Sequence, residues 1–186
     1  MVAPYDPAWP AWFAEVYNHV WPALEGVALR IDHLGSTAVV GLAAKPIIDM
    51  DIVVASGDLI APTIERLTSI GYEWVGDLGV EGREAFQDQT EQPLPDHHLY
   101  LVVENNRAHV DHWLLRDLLS QDAETRDRYA ALKRENAKVA AGDLKVYTAR
   151  KAALVAELLT TARQAHGLAQ VDYWVPTPAE LVPPAS

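Results

Sequence analysis

Cysteine is absent from the 186-residue chain, which excludes disulfides and thiolate metal centres. Positive charge is short. Fifteen Lys+Arg stand against 26 Asp+Glu, a formal net charge of −11. That balance disfavours long-range attraction to DNA, RNA or anionic lipid, although a local basic pocket still suits a nucleotide. No apolar run is long enough to span a bilayer. The start, MVAPYDPAWPAWF, lacks a basic segment followed by an apolar stretch, so no signal peptide is expected. The expected setting is cytoplasmic. No internal repeat breaks the chain, and its length fits one domain with a sizeable core.

What is present reads as a mixed α/β half followed by an all-helical half. Trp12, Phe13, Val16, Val20 and Leu24 recur at helical spacing over 11–24, with Asp6 as N-cap before Pro7. Pro22 is expected to shorten or kink that helix, and Gly26 to stop it. Strands are expected over 27–34, 46–54, 72–75 and 97–103, with a weaker one over 83–88. Helices are expected over 57–70, 108–119, 123–139 and 144–166. The tail VDYWVPTPAELVPPAS reads as irregular. Residues 46–54 are apolar on both faces, as a central strand covered on both sides would be.

Two aspartates interrupt that strand. Asp49 and Asp51 sit two apart, so a strand places both carboxylates on one face. Two buried like charges are costly side by side unless something compensates them. A divalent metal does so, and hard carboxylate oxygens suit Mg²⁺ or Mn²⁺, which also bridge nucleotide phosphates. The alternative is a solvated pair bonded to Lys45. Twelve residues separate the pair from Gly35-Ser36, which Thr37 follows. There the glycine permits close approach of backbone to a ligand, and hydroxyls and N–H groups at a helix start favour a phosphate. The alternative is an ordinary N-cap. Together, one element grips phosphate and the other holds metal against it.

This pattern resembles the DNA-polymerase-beta-like nucleotidyltransferase superfamily: Gly-Ser, then acid–apolar–acid on a strand. More closely, the chain is similar to the GrpB family, through YDPAWPAWF, HLGSTAVVGLAAKPIIDMDIVV, HHLYLVV, LLRDLL, RYAALK and YTARKAALV, spanning about residues 5–160. The resemblance implies an α/β (α+β) fold, a nucleotidyltransferase-like mixed sheet flanked by helices, with additional C-terminal helices. One GrpB-like domain would cover 1–168, with its sheet-containing part over about 1–106 and its helical part over 107–168. A proline-rich tail would follow over 169–186. A related domain is fused to dephospho-coenzyme-A kinases in some bacteria, a hint of a nucleotide link. The resemblance carries Gly35 and Ser36 to the phosphate-gripping turn and Asp49 and Asp51 to the metal acids. It places His33, Lys45 and Pro46 in the family's own pattern. Val40 departs from a usual proline, and Tyr100 from a usual histidine.

Active members of the superfamily use a third carboxylate from a neighbouring strand. On the strand that aligns here, His98 and Tyr100 share a face and no acid is present; Glu84 and Asp88 are outside candidates. His98 is the expected substitute, as metal ligand or base. His33 is expected at a phosphate or a reacting hydroxyl, or bonded to a loop carbonyl. Thr37, Lys45, Arg83 and Tyr100 are assigned with Gly35 and Ser36 to nucleotide binding, Arg83 as a bidentate clamp. Arg116-Asp117, Lys133, and Tyr147 with Lys151 are candidates for the cleft. Trp12, Trp21 and Trp113 read as core. The HVDH run at 109–112 has metal-like spacing, but no further ligand follows on the same helical face, so it is set aside. The expected function is transfer of a nucleotidyl group from a nucleoside triphosphate to a small-molecule acceptor, with Mg²⁺ or Mn²⁺. The rivals are a nucleotide- or metabolite-binding module without turnover, and a fold turned to another reaction.

Overall fold

The computed structural model describes residues 2–139 and 144–175; the side chains of 137, 139 and 144–150, with Tyr147 among them, lie outside the described residues. The elements run α1 (Trp9–Leu24), β1 (Arg30–Leu34), a 3₁₀ turn (Ser36–Ala38), β2 (Ile48–Val54), a second 3₁₀ turn (Gly57–Leu59), α2 (Ile60–Ser69), β3 (Tyr72–Gly76), β4 (Arg83–Asp88), β5 (His97–Val103), α3 (Arg107–Gln121), α4 (Ala123–Val139) and α5 (Leu144–Ala165). The five strands form one sheet in the order β1-β2-β5-β4-β3. The β2–β5 pair is parallel; β1–β2, β5–β4 and β4–β3 are antiparallel. A parallel pair needs a long crossover, and α2, β3 and β4 supply it.

Alternation along the strands sorts residues onto two faces. One face carries Ile48, Met50, Ile52 and Val54 of β2 with Leu99 and Leu101 of β5, all at most 1% exposed. Val16, Val20 and Leu24 of α1 and Leu67 of α2 close over it. Trp12 and Trp21 pack against this core as expected, with Trp9 more deeply buried; Trp113, expected inside, is 37% exposed. Pro22 lies within the last turn of α1 without ending it early. Asp6 is not the N-cap: that position is Ala8, whose N–H donates to Asp6 Oδ1 at 2.8 Å.

The other face is polar. Across it, register places Asp32 opposite Asp51, Leu34 opposite Asp49, His98 beside Asp49 and Tyr100 beside Asp51. The C-terminal helices cover this face. Leu119, Tyr129, Ala130, Leu154 and Leu158 pack on Val39 and Leu42, so α3, α4 and α5 are anchored on the loop that follows Ser36. A second tie sets α3. Asp111 Oδ1 accepts from Arg163 Nε at 2.9 Å and from the Tyr173 hydroxyl at 2.8 Å, and Arg163 also donates to Ala169 O. Tyr173 belongs to the segment expected as a tail, of which 176–186 lie outside the described residues.

Leu99 sits at the middle of the helix-covered core. Leu99→Ala is expected to lower unfolding free energy by about 2–4 kcal/mol, read as a lower urea midpoint at unchanged slope.

Candidate functional site

The site is built around a carboxylate that the fold buries. Asp51 is wholly buried in the middle of β2. Its Oδ2 receives His109 Nδ1 at 3.2 Å and His112 Nδ1 at 3.1 Å, and its Oδ1 lies 3.3 Å from His112 Nδ1. Both histidines come from α3. Three residues apart, they share one helix face, and the Asn106 side chain caps the helix start by accepting from His109 N. Burial pushes the Asp51 carboxyl up; hydrogen bonds from His109 and His112 outweigh it and hold the group below its ordinary range. For His112 burial disfavours the charged form, and the bond to Asp51 reverses this. The HVDH run, set aside from sequence as a metal motif, has another role here. Its partner comes from a strand, not from the same helix, and it clamps a carboxylate.

Asp49 lies one strand pair nearer the mouth, its side chain one-third exposed, with Oδ1 3.0 Å from His98 Nδ1. Its other oxygen faces Gly35. A Cβ placed on Gly35 would lie 2.1 Å from Asp49 Oδ2, and Gly35 has φ +66°. Only glycine fits there, on both counts. The close approach that sequence assigned to a ligand is made first to Asp49 itself.

Ser36, Thr37 and Ala38 form only a single 3₁₀ turn, so the helix-dipole argument for phosphate does not hold. Charge arrives from elsewhere: Lys133 Nζ donates to Ser36 Oγ and to Ala43 O, each at 2.8 Å. Burial pushes the Lys133 ammonium down to about 7; nearby Lys151 and Lys45 add to the effect, and Asp49 opposes it. Thr37 is buried, its hydroxyl 3.1 Å from His33 Nε2 and 3.4 Å from Ile47 O. His33 faces the opposite side of the sheet from the aspartates, opposite Met50, and stacks on Phe13 at 4.8 Å. Burial lowers its pKa to about 4. It is not among the residues lining the cavity.

That cavity, of about 380 Å³, is bounded by Gly35, Ser36, Thr37 and Asp49, with His98, Tyr100 and His112 on the sheet and α3 side. Among the described residues, five cationic ones line it: Lys45, Arg83, Arg116, Lys133 and Lys151. Arg116 Nη1 also donates to His33 O. Of the residues assigned to catalysis and nucleotide binding, all but His33 and Asp51 line the cavity, and so do the cleft candidates Arg116, Lys133 and Lys151; Asp51 lies behind its wall. Asp117 instead accepts from Gln121 at an exposed position. The outside candidates for a third acid are placed elsewhere. Glu84 takes Trp74 Nε1, and Asp88 receives Thr90 N. Asp32 does neighbour Asp51, but it accepts from Arg30 and lies 3.5 Å from His109 Nε2.

The donor set fits a hard divalent cation that brings most of its own oxygens. Asp49 is accessible, and Asp51, with about four lone-pair sites, keeps acceptor capacity beyond its histidines. Among the described residues, no group of three or more His, Asp or Glu is arranged to enclose a metal. Mg²⁺ commonly takes one or two carboxylates and completes its shell with phosphate and water.

The family model described as GrpB protein matches residues 1–161. The chain belongs to the GrpB family. The UPF0157 protein BH1888 of Halalkalibacterium halodurans is 31% identical over 160 residues, 85% of this chain and 80% of that one. A dephospho-CoA kinase of Mycolicibacterium paratuberculosis is 31% identical over 173 residues, 81% of this chain and 42% of its own length. This chain likewise spans 38% of the UPF0157 protein YqkA of Bacillus subtilis, at 32% identity over 70% of this chain. Among solved structures, GrpB of Enterococcus faecalis superposes with a TM-score of 0.78 at 27% identity, over 90% of this chain and 99% of that one. The Cid1 poly(U) polymerase bound to MgGTP matches with a TM-score of 0.54 at 16% identity, over 74% of this chain and 45% of Cid1. The GrpB chain thus has a mixed five-stranded α/β architecture resembling the nucleotidyltransferase fold of Cid1.

Gly35→Ala is expected to displace the Asp49 carboxylate and to cost about 1–3 kcal/mol from the left-handed backbone alone, measured by urea unfolding. Lys133 gives a signed pH dependence. Its folded pKa lies below its unfolded one, so between pH 7 and about 10 the unfolded chain holds more protons. Wild-type stability is therefore expected to rise over that window relative to Lys133→Met, and the difference to flatten below pH 7.

Proposed function

We propose that this chain is a cytoplasmic enzyme that binds a nucleoside triphosphate with Mg²⁺ or Mn²⁺ and transfers the nucleotidyl group to a small-molecule acceptor. The observation that carries this reading is the junction at Gly35. The Gly35-Ser36 turn and an accessible carboxylate meet there without room for a methyl group, at one corner of a cation-lined cavity.

Asp49 and Asp51 would hold the cation, which supplies charge neutralisation at the phosphate oxygens. The chain's own residues account for the rest. The Ser36 hydroxyl and the turn's N–H groups face the phosphates, and Lys133, Lys45 and Lys151 offset their charge. His98 directs Nδ1 at Asp49, which leaves Nε2 to take the acceptor's proton. The acceptor's oxygen or nitrogen bonds to the α-phosphorus as the bond to the bridging oxygen breaks, and pyrophosphate departs. The MgGTP held by Cid1 and the kinase among the relatives support a nucleotide as ligand.

One observation favours a second reading, binding without transfer: the residue beside Asp51 on β5 is Tyr100, not a carboxylate. Calorimetry with each triphosphate plus Mg²⁺ or Mn²⁺, followed by a pyrophosphate assay with a metabolite pool, separates the two. Metal-dependent binding that Asp49→Asn weakens at least about tenfold, with pyrophosphate released, is the expected result. Binding without release favours the second reading, and absence of binding to wild type sinks both.

A further inference from the structure

The cavity has two differently built walls. The phosphate turn, Lys133 and Lys45 form one; β4, β5 and α3 supply Arg83, Tyr100 and His112 for the other. On this second wall Arg83 lies over the Tyr100 ring, its Cζ 4.3 Å from the ring centroid. A cation–π contact takes up none of a guanidinium's N–H donors, which stay available to an anion. Among the described residues no carboxylate pairs with Arg83, and its buried Nε has no hydrogen-bond partner. A buried donor left unmade is costly. The Tyr100 hydroxyl makes no hydrogen bond among the described residues either. Burial, then Asp49, keeps that phenol protonated to higher pH than usual, so it remains a donor. His112, with Nδ1 committed to Asp51, completes the wall, its ring 6.1 Å from that of Tyr100.

The wall is held in place. The Asn106 side chain donates to Gly82 O, next to Arg83, and accepts from His109 N, so the start of β4 is tied to the start of α3. Where a third carboxylate would repel a second anion, this sheet presents a rigid arginine fork and a phenol.

We propose that Arg83 and Tyr100, which the sequence reading assigned to the nucleotide, instead form with His112 an oxyanion subsite for the acceptor, which is therefore a small molecule bearing a carboxylate or phosphate. Its role as acceptor site rests on the transferase reading above; the anion site itself does not.

The test titrates malonate and inorganic phosphate, separately, into folded protein saturated with Mg²⁺ and a non-hydrolysable triphosphate, monitored by calorimetry. The expected outcome is binding that Arg83→Gln weakens about tenfold or more and Tyr100→Phe less, with triphosphate affinity held within about threefold. Arg83→Lys, which keeps charge but loses the fork, should fall between and serves if Arg83→Gln does not fold by circular dichroism. Tighter malonate identifies a carboxylate acceptor, and tighter phosphate a phosphorylated one. Probe affinity unchanged in Arg83→Gln, or no binding of either probe to wild type, overturns the proposal. So does a triphosphate affinity that falls in step with the probe, since that marks a single shared site. Failure of the transferase reading looks different: the triphosphate does not bind, yet Arg83→Gln still weakens the probe in nucleotide-free protein.

Discussion

A carboxylate cannot be taken wholly out of water inside an apolar strand without partners that restore what hydration gave it. Asp51 meets that condition through His109 and His112, and much of the architecture follows. The histidines must come from a helix laid across the polar face of the sheet, so α3 has to dock there. Once docked, α3 carries Arg116 and Leu119 toward the loop after Ser36, and α4 brings Lys133 onto Ser36 itself. The cavity is thus the gap left between a sheet that supplies carboxylates and helices that supply cations. Neither half contains the site alone.

Periodicity and turn chemistry made the elements readable. The expected strands over 83–88 and 97–103 coincide with β4 and β5, and the helix over 123–139 with α4. Period two put Asp49 and Asp51 on one face, and the same alternation along β5 separates His97 from His98. His97 is indeed turned away, bonded to Tyr72 and Pro95, while His98 meets Asp49. Periodicity says which residues share a face; it does not say which face meets which. That is why HVDH was discounted: its partner lies 58 and 61 residues earlier, on a strand. Lys133 reaches across 97 residues to Ser36, a contact that spacing cannot show. His33 had the right neighbours in sequence, but alternation along β1 sends it to the helix-covered face.

The charge pattern has the same two-level character. The chain as a whole is strongly acidic, yet five cations gather around one cavity. Under the proposed function, the outer field discourages extended polyanions while the interior suits a compact anion of high charge density. Lys133 shows what that concentration involves: buried and beside like charges, its ammonium is pushed down to about 7, and a bound anion would favour the proton again.

Asp111 sits between His109 and His112 on α3 but projects to a different side, where Arg163 and Tyr173 hold it. A helix gripped from two directions cannot roll about its own axis. The contact with Arg163 and Tyr173, neither of which lines the cavity, therefore acts as a rotational stop. It sets the angle at which two imidazoles meet the Asp51 carboxylate, and so couples alignment at the centre of the sheet to residues near the end of the described chain.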